Sequence, residues 1–491
     1  MEDQVSDAWV LPAIAVLLLL TDISIRVFSV IYVPQNRKPQ TATAWLLAIF
    51  LIPYVGFIVF LLIGSTRLPK RRREKQDEIN EFILQTTEGM DDVVRDATFP
   101  SWLDSMVELN RTLGSMPLVG GNTAKLLTDY EESLAAITEA VASAKRFVHV
   151  EFYILALDPT TTPFFDALEA AVQRGVAVRV LLDHVASLRS PGYRRTIRKL
   201  DAIGVDWHLM LPVQPLRGRY QRPDLRNHRK LVVIDAVVAF TGSQNMIDSS
   251  YNKRGNIRRG LVWKDLMVRF EGPIVAGVNA LFVTDWYSET DELLTREATR
   301  VPPEKTHDVL DAQIVPSGPG FEHENNLRLF NGMLYNAREK VIITSPYFVP
   351  DDSMLYAITN AAYRGIDVQL FVSAVADQPV VFHAQRSYYE ELLRAGVRIW
   401  RYEKPTVLHA KHFTIDDDVA VIGSSNMDMR SFSLNFEISV MVRGRHIVQQ
   451  LRRIEQGYRQ NSKELLLEDW LDRPLRSKIL DNAARLTAAV Q

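Results

Sequence analysis

His228-Arg229-Lys230-Leu231-Val232-Val233-Ile234-Asp235 and His409-Ala410-Lys411-His412-Phe413-Thr414-Ile415-Asp416 are two copies of one pattern. Each is followed, after the same six-residue gap, by a small polar turn: Gly242-Ser243-Gln244-Asn245 and Gly423-Ser424-Ser425-Asn426. Agreement at His, Lys, Asp, Gly, Ser and Asn with identical spacing marks a duplication. A duplicated His/Lys/Asn set means two half-sites that can close on one anionic group, and a phosphate is the anion this set fits.

The spacing has a physical reading. Leu231 to Ile234 is a short apolar run of the kind that forms a buried strand. His228 and Lys230 differ by two and share one face of that strand. Asp235 falls on the other face or at the strand end, and reads as an anchor of strand and loop. Val237 to Thr241 is the expected partner strand, and Ser243 and Asn245 again share a face. Phe413 to Ile415 and Val419 to Ile422 repeat the arrangement. Each half thus offers an imidazole, an ammonium and an amide on one surface. That is the equipment for covalent phosphoryl chemistry with no metal and no cofactor.

The repeat extends beyond the motifs. Phe147 to Tyr153 corresponds to Val341 to Tyr347, Ala171 to Val176 corresponds to Ala361 to Ile366, and Ile203 to Val205 corresponds to Ala395 to Val397. The offset is about 190 residues until the motifs, where it falls to 181, so the first half carries extra residues, including Leu211 to Arg222. Strand, helix and strand alternate in both, which predicts α/β halves packed together with the site between them. The expected divisions are 1–66, a membrane hairpin; 67–122, a charged helical linker; 123–300, the first half; and 301–491, the second.

Composition bounds the function. The 491 residues include 57 basic and 59 acidic side chains, for a net charge of −2, which argues against a nucleic-acid surface. There is no cysteine, so disulfides and thiolate metal sites are excluded. Ala44 to Gly64 is 21 residues without charge, long enough to span a bilayer. Trp9 to Val33 is a second candidate, interrupted by Asp22 and Arg26, which at i and i+4 can pair on one helix face. The leader carries Glu2 and Asp3 but no Lys or Arg, a poor signal peptide. A two-helix transmembrane hairpin is the expectation. Arg67, Lys70, Arg71, Arg72, Arg73 and Lys75 follow it, against Arg37 and Lys38 in the connector, which places the following chain in the cytoplasm.

From Ala124 onward the doubled motif resembles the phospholipase D superfamily, in which one motif histidine attacks phosphorus and the other protonates the leaving group. Further segments resemble the bacterial cardiolipin synthases of that superfamily: Pro39 to Trp45 with Pro53-Tyr54-Val55-Gly56, Leu225-Arg226-Asn227, Pro346 to Pro350, Asn426 to Ser431, and Asn435-Phe436-Glu437. Leu486 to Gln491 departs from the family's close. The resemblance implies transfer between two phosphatidylglycerols in the cell membrane, giving cardiolipin and glycerol. It implies His228 as nucleophile and His409 as general acid, then base. Asp265 and Glu437 would hold the far nitrogens of the histidines. Lys230, Lys411, Asn245 and Asn426 would neutralise the phosphoryl oxygens, and Ser243 and Ser424 could add donors. Asp235 and Asp416 complete the motif. Glu151, Tyr153 and Tyr347 stand at strand ends that could line the pocket, whereas His149, His184, His383 and His412 read as structural. The motifs alone leave open a phospholipase D that uses water and releases phosphatidic acid. An inactive membrane-anchored lipid- or nucleic-acid-binding protein is the alternative of another class, against which the intact His and Lys residues argue. Oligomeric state is not readable from the chain.

Overall fold

The computed structural model describes residues 10–35, 37–64, 68–88, 93, 99–294, 309–321, 323–375 and 377–486. Glu2, Asp3, Arg67 and the C-terminal close at 487–491 lie outside the described residues. The chain divides into two units, Met1–Leu68 with Arg222–Asp224, and the remainder.

The N-terminal unit holds three helices: α1 (Val10–Tyr32), α2 (Pro39–Leu51) and α3 (Pro53–Ile63). Among the described residues α1 alone is long and apolar enough to cross a membrane. Its Arg26 Nε donates to Asp22 Oδ2 at 2.8 Å, one turn apart. The second span expected over Ala44 to Gly64 is not one helix, which corrects the two-helix hairpin. Pro53 has no N–H to continue α2 and pushes the residue before it out of the helical region. Ile52 accordingly sits at φ −135°, ψ 75°. Beyond this break α3 turns back along α2. The Trp45 and Phe60 rings lie 5.4 Å apart. Gly56 makes the close approach possible, since a Cβ there would stand 2.7 Å from the Ala48 carbonyl oxygen. Arg37 bonds Val33 O at 2.6 Å and Gly64 O at 2.9 Å, so the ends of α1 and α3 and the start of α2 meet.

The second unit begins with two helices, α4 (Lys70–Thr86) and α5 (Leu103–Gly114). The first half then supplies β1 (Leu118–Leu127), β2 (Phe147–Phe152), β3 (Ala177–Asp183), β4 (Asp206–Met210), β5 (Val213–Gln214), β6 (Arg219–Tyr220), β7 (Arg226–Asn227), β8 (Lys230–Ile234), β9 (Val238–Gly242), β10 (Val262–Lys264) and β11 (Met267–Glu271). The second supplies β12 (Leu310–Ser317), β13 (Lys340–Thr344), β14 (Phe348–Val349), β15 (Asp367–Ser373), β16 (Arg398–Tyr402), β17 (Thr406–Leu408), β18 (His412–Ile415), β19 (Val419–Gly423), β20 (Met427–Asp428), β21 (Asn435–Arg443) and β22 (Ser462–Leu465). The extra segment before the first motif is a small antiparallel hairpin, β5 with β6.

The two halves repeat one topology. The first runs β1-β11-β9-β8-β2-β3-β4 and the second β12-β21-β19-β18-β13-β15-β16, with β22 added at its edge. In each, three strands are parallel and the rest antiparallel. The central strands are buried on both faces, as their near-continuous apolar runs require. Antiparallel β1 and β12 join the halves into one sheet. They also share a core. Val275, Val278, Phe282 and Trp286 of the helix Ile274–Thr290 pack in one buried cluster with Ile342, Ile422 and Ile438 of the second half. Full burial of each such side chain contributes about 1.5–3 kcal/mol. The segment read as a linker packs onto this body: Ile79 and Ile83 of α4 join the same cluster, and Leu103 and Val107 of α5 join the core of the second half.

Candidate active site

Two short parallel ladders build the site. β7 pairs with the start of β21, Asn227 opposite Phe436, and β10 pairs with β17, Lys264 opposite Leu408. One residue further along each ladder stand His228 against Glu437 and His409 against Asp265. The backbone repeats itself here: His228 N donates to Phe436 O at 2.9 Å, and His409 N to Lys264 O at 2.7 Å. The side chains then meet across the halves. His228 Nδ1 lies 2.9 and 3.0 Å from the two Glu437 oxygens, and His409 Nδ1 lies 2.6 Å from Asp265 Oδ1. Each half therefore supplies the carboxylate for the other half's histidine.

An ionised carboxylate can only accept, so each Nδ1 carries the proton and each Nε2 keeps its lone pair. Glu437 is itself held by Ser424 Oγ at 2.5 Å and Ser431 Oγ at 2.8 Å, and Asp265 by Ser243 Oγ at 2.6 Å. The motif serines thus orient carboxylates, where the sequence suggested donors to the phosphate. Ser431 was not singled out, although it stands within the quoted Asn426-to-Ser431 segment. The ammonium groups of Lys230 and Lys411 reach back to the carbonyls of His228 and His409, at 2.6 and 2.7 Å.

The two amides differ. Asn245 is engaged at both ends, accepting from Ile154 N at 3.1 Å and donating to the Tyr251 hydroxyl at 2.8 Å. Asn426 keeps a buried Oδ1 without a hydrogen-bond partner. Tyr251 is a second residue the sequence reading missed, and no spacing in the chain signals it. Aromatic edges close the site: Tyr153 stands 4.8 Å from the His228 ring, and Tyr251 and Tyr347 each stand 6.4 Å from His409.

Burial sets the electrostatics. It pushes the His228 imidazole down to about 4 against the pull of Glu437, and Lys230 opposes protonation further. Burial lowers His409 as well, helped by Lys411. Burial lowers both lysines, to about 7 for Lys230, with Lys411 beside it adding to the fall, and to about 8 for Lys411. Burial would raise Asp265 and Glu437, but their histidine and lysine neighbours outweigh it and hold both below the usual carboxylate range. Near neutral pH the free site thus holds two carboxylates beside neutral imidazoles, with Lys411 mostly an ammonium group and Lys230 at the midpoint of its titration. Among the described residues no group of three or more His, Cys, Asp and Glu is placed to hold a metal.

The structure keeps the remaining motif residues away from the histidines. Asp235 accepts from the backbone of Lys145, Arg146 and Phe147, each at 2.8 Å, and Asp416 accepts from Arg338, Glu339 and Lys340. Both sit at the far end of their strands, about 17 Å along from the lysines at the usual rise, and serve as anchors of strand and loop. Arg229, between His228 and Lys230, turns inward to pair with Asp285 and bonds Glu437 O at 3.1 Å. Glu151 lies behind the motif, accepting from Asn227 Nδ2 at 2.7 Å. Burial, with Asp285 beside it, pushes its carboxyl well above the usual range. His149 stacks on Phe282 at 4.2 Å, His184 accepts from Val213 N, His383 meets Asp481, and His412 meets Thr344.

A family model described as cardiolipin synthase, PLD-like domain, matches residues 137–282 and 331–456, and one described as phospholipase D-nuclease N-terminal matches residues 24–65. Cardiolipin synthase A of Proteus mirabilis (strain HI4320) is 32% identical over 94% of this chain and 94% of its own length. Cardiolipin synthase of Alkalihalophilus pseudofirmus is 32% identical over 98% of this chain and 94% of its own length. The fold is shared with a crystal structure of phosphatidylserine synthase from Haemophilus influenzae Rd KW20, at TM-score 0.61 and 15% identity, covering 78% of this chain and 99% of that one. Two fused phospholipase D-like halves, closing on one site and matched over nearly their whole length by these relatives, place the chain in the cardiolipin synthase family of the phospholipase D superfamily.

Proposed function

We propose that this chain transfers a phosphatidyl group from one phosphatidylglycerol to another through a phosphohistidine. The observation that carries the reading is the crossed pair of carboxylate-held histidines with two buried lysines beside them. Nε2 of His228 attacks the donor phosphorus and the bond to the glycerol headgroup breaks. His409 supplies the proton to the departing alkoxide. The terminal hydroxyl of a second phosphatidylglycerol then gives its proton to His409 and attacks the same phosphorus, and His228 leaves. Cardiolipin and glycerol result, with atoms and charge balanced.

Charge accounts for the acid. The free site carries no net positive charge, so an arriving phosphodiester adds uncompensated negative charge and favours protonation of an imidazole. Lys230, Lys411 and the amide of Asn426 would then stabilise the five-coordinate phosphorus. What favours His228 as the nucleophile is its fuller fixing, both Glu437 oxygens on one nitrogen and two hydroxyls on Glu437. In-line attack rewards such alignment.

The same reading places the enzyme in the cell membrane, anchored through its apolar N-terminal unit, with the catalytic body on the cytoplasmic side. The six basic residues after Gly64 support that side. The test is product analysis: purified protein in mixed vesicles with labelled phosphatidylglycerol. Cardiolipin with equimolar glycerol is expected. Phosphatidic acid as the main product would turn the reading to hydrolysis, and no product would leave a binding protein.

A further inference from the structure

The fold-back of α3 on α2 bears on how the chain meets the bilayer. α2 has 13 residues, about 20 Å at helical rise, short of the roughly 30 Å hydrocarbon core. Its first turn and the end of α3 lie together, because Arg37 bonds Gly64 O at 2.9 Å. The tip is Ile52-Pro53, where Ile52 N donates to Ala48 O at 3.0 Å and Gly56 N to Ile52 O at 2.7 Å. Tyr54 at the tip donates its hydroxyl to Leu18 O at 2.8 Å, part-way along α1. Leu47, Leu51, Ile52, Val55, Ile58 and Leu61 face outward from the pair.

We propose that α1 is the single crossing and that α2–α3 is a re-entrant hairpin, entering and leaving the bilayer on one face, with the acyl chains of that leaflet as its partner. This rests on the membrane-anchor reading above. Charge supports it independently of the packing. With a re-entrant hairpin, Arg37 and Lys38 share a face with the six basic residues from Arg67 to Lys75, and none of the nine residues before α1 is Lys or Arg. With two crossings, Arg37 and Lys38 would stand on the opposite face from the six. The positive-inside rule prefers eight against none to six against two.

The chain has no cysteine, so single-cysteine variants report one position each. Ser6→Cys, Gln35→Cys and Tyr363→Cys, each checked for retained cardiolipin formation, would be probed with a membrane-impermeant maleimide in intact and in permeabilised cells. The expected result is Ser6→Cys labelled in intact cells, and Gln35→Cys and Tyr363→Cys labelled only after permeabilisation. Gln35→Cys and Tyr363→Cys on opposite faces would overturn the hairpin in favour of two crossings. All three positions on one face would overturn the crossing by α1. Gln35→Cys and Tyr363→Cys labelled together from outside, with Ser6→Cys shielded, would keep the hairpin and reverse the cytoplasmic assignment. Release of the chain from membranes by alkaline carbonate would remove the anchor reading and the hairpin with it.

Discussion

His228 Nδ1 lies 2.9 Å from Glu437 Oε1, although 209 residues separate them. The contact follows from a two-residue ladder, Arg226-Asn227 beside Asn435-Phe436, whose next rung is the histidine and the carboxylate. The reciprocal ladder sets His409 against Asp265. Neither half is a complete site without the other.

Exchange of the carboxylates should therefore act across the halves. Glu437→Gln should cost on the order of 10³–10⁴ in kcat, as loss of a tautomer-fixing carboxylate does elsewhere, by slowing the first step. Asp265→Asn should lose turnover similarly, yet still release an activated leaving group once per site, because that donor needs no acid. Burst measurements with such a donor check this. Equal bursts in both variants would contradict the division of roles.

The pH profile should carry the buried lysines. Their pKa values are lowered, to about 7 and about 8, so both are charged below those values and lose charge as pH rises through them. Phosphate binding weakens in that window, and kcat/KM should fall between about pH 7 and 8. A bound phosphodiester raises both values, so the alkaline limb of kcat should lie higher. On the acid side, His228 titrates near 4, and kcat/KM should fall as pH drops toward it. Coincident alkaline limbs for kcat and kcat/KM would argue against lysine control.

Asp235 and Asp416 should behave as structural residues. Each holds three backbone N–H groups at a positive φ, 54° and 46°. Asp235→Ala should cost about 1–3 kcal/mol of stability, while the folded fraction keeps its kcat. Asp235→Asn, which tolerates the same backbone, should cost less. Thermal unfolding beside kcat per folded molecule checks this, and a kcat loss like that of His228→Ala at full stability would return Asp235 to the chemistry.

Gly423 should be intolerant for a reason of its own. A Cβ there would collide with the Ile438 carbonyl, next to Glu437. Gly423→Ala should displace the carboxylate strand, lowering kcat at least tenfold as misplaced catalytic groups do. Gly242→Ala should do the same through Leu266, next to Asp265. Wild-type activity in a folded Gly423→Ala variant would contradict the close packing.

What the sequence made legible was local or repeated. The apolar run Leu231 to Ile234 and its copy gave the buried strands, and the spacing of Asp235 set it apart from His228. The matched segments around Phe147 and Val341 gave two α/β halves. The crossing of carboxylates was not legible, because ladders of two or three residues leave no periodicity and link segments far apart in the chain. The serines could not be assigned, since a hydroxyl two residues before an amide fits a phosphate or a carboxylate equally. The break at Ile52 was legible and outweighed by composition: 21 uncharged residues read as a span, although Pro53 marks a helix end.

The central claim is a covalent phosphatidyl-histidine at His228, and trapping that adduct tests it most directly. His409→Ala would be given a labelled phosphatidyl donor with a leaving group that needs no acid, so that the first step proceeds and the second lacks its base. The account predicts near-stoichiometric label on the peptide containing His228, stable to alkali and lost in acid. Label on a His409 peptide in the reciprocal His228→Ala variant, with none on His228 in His409→Ala, would contradict the assignment.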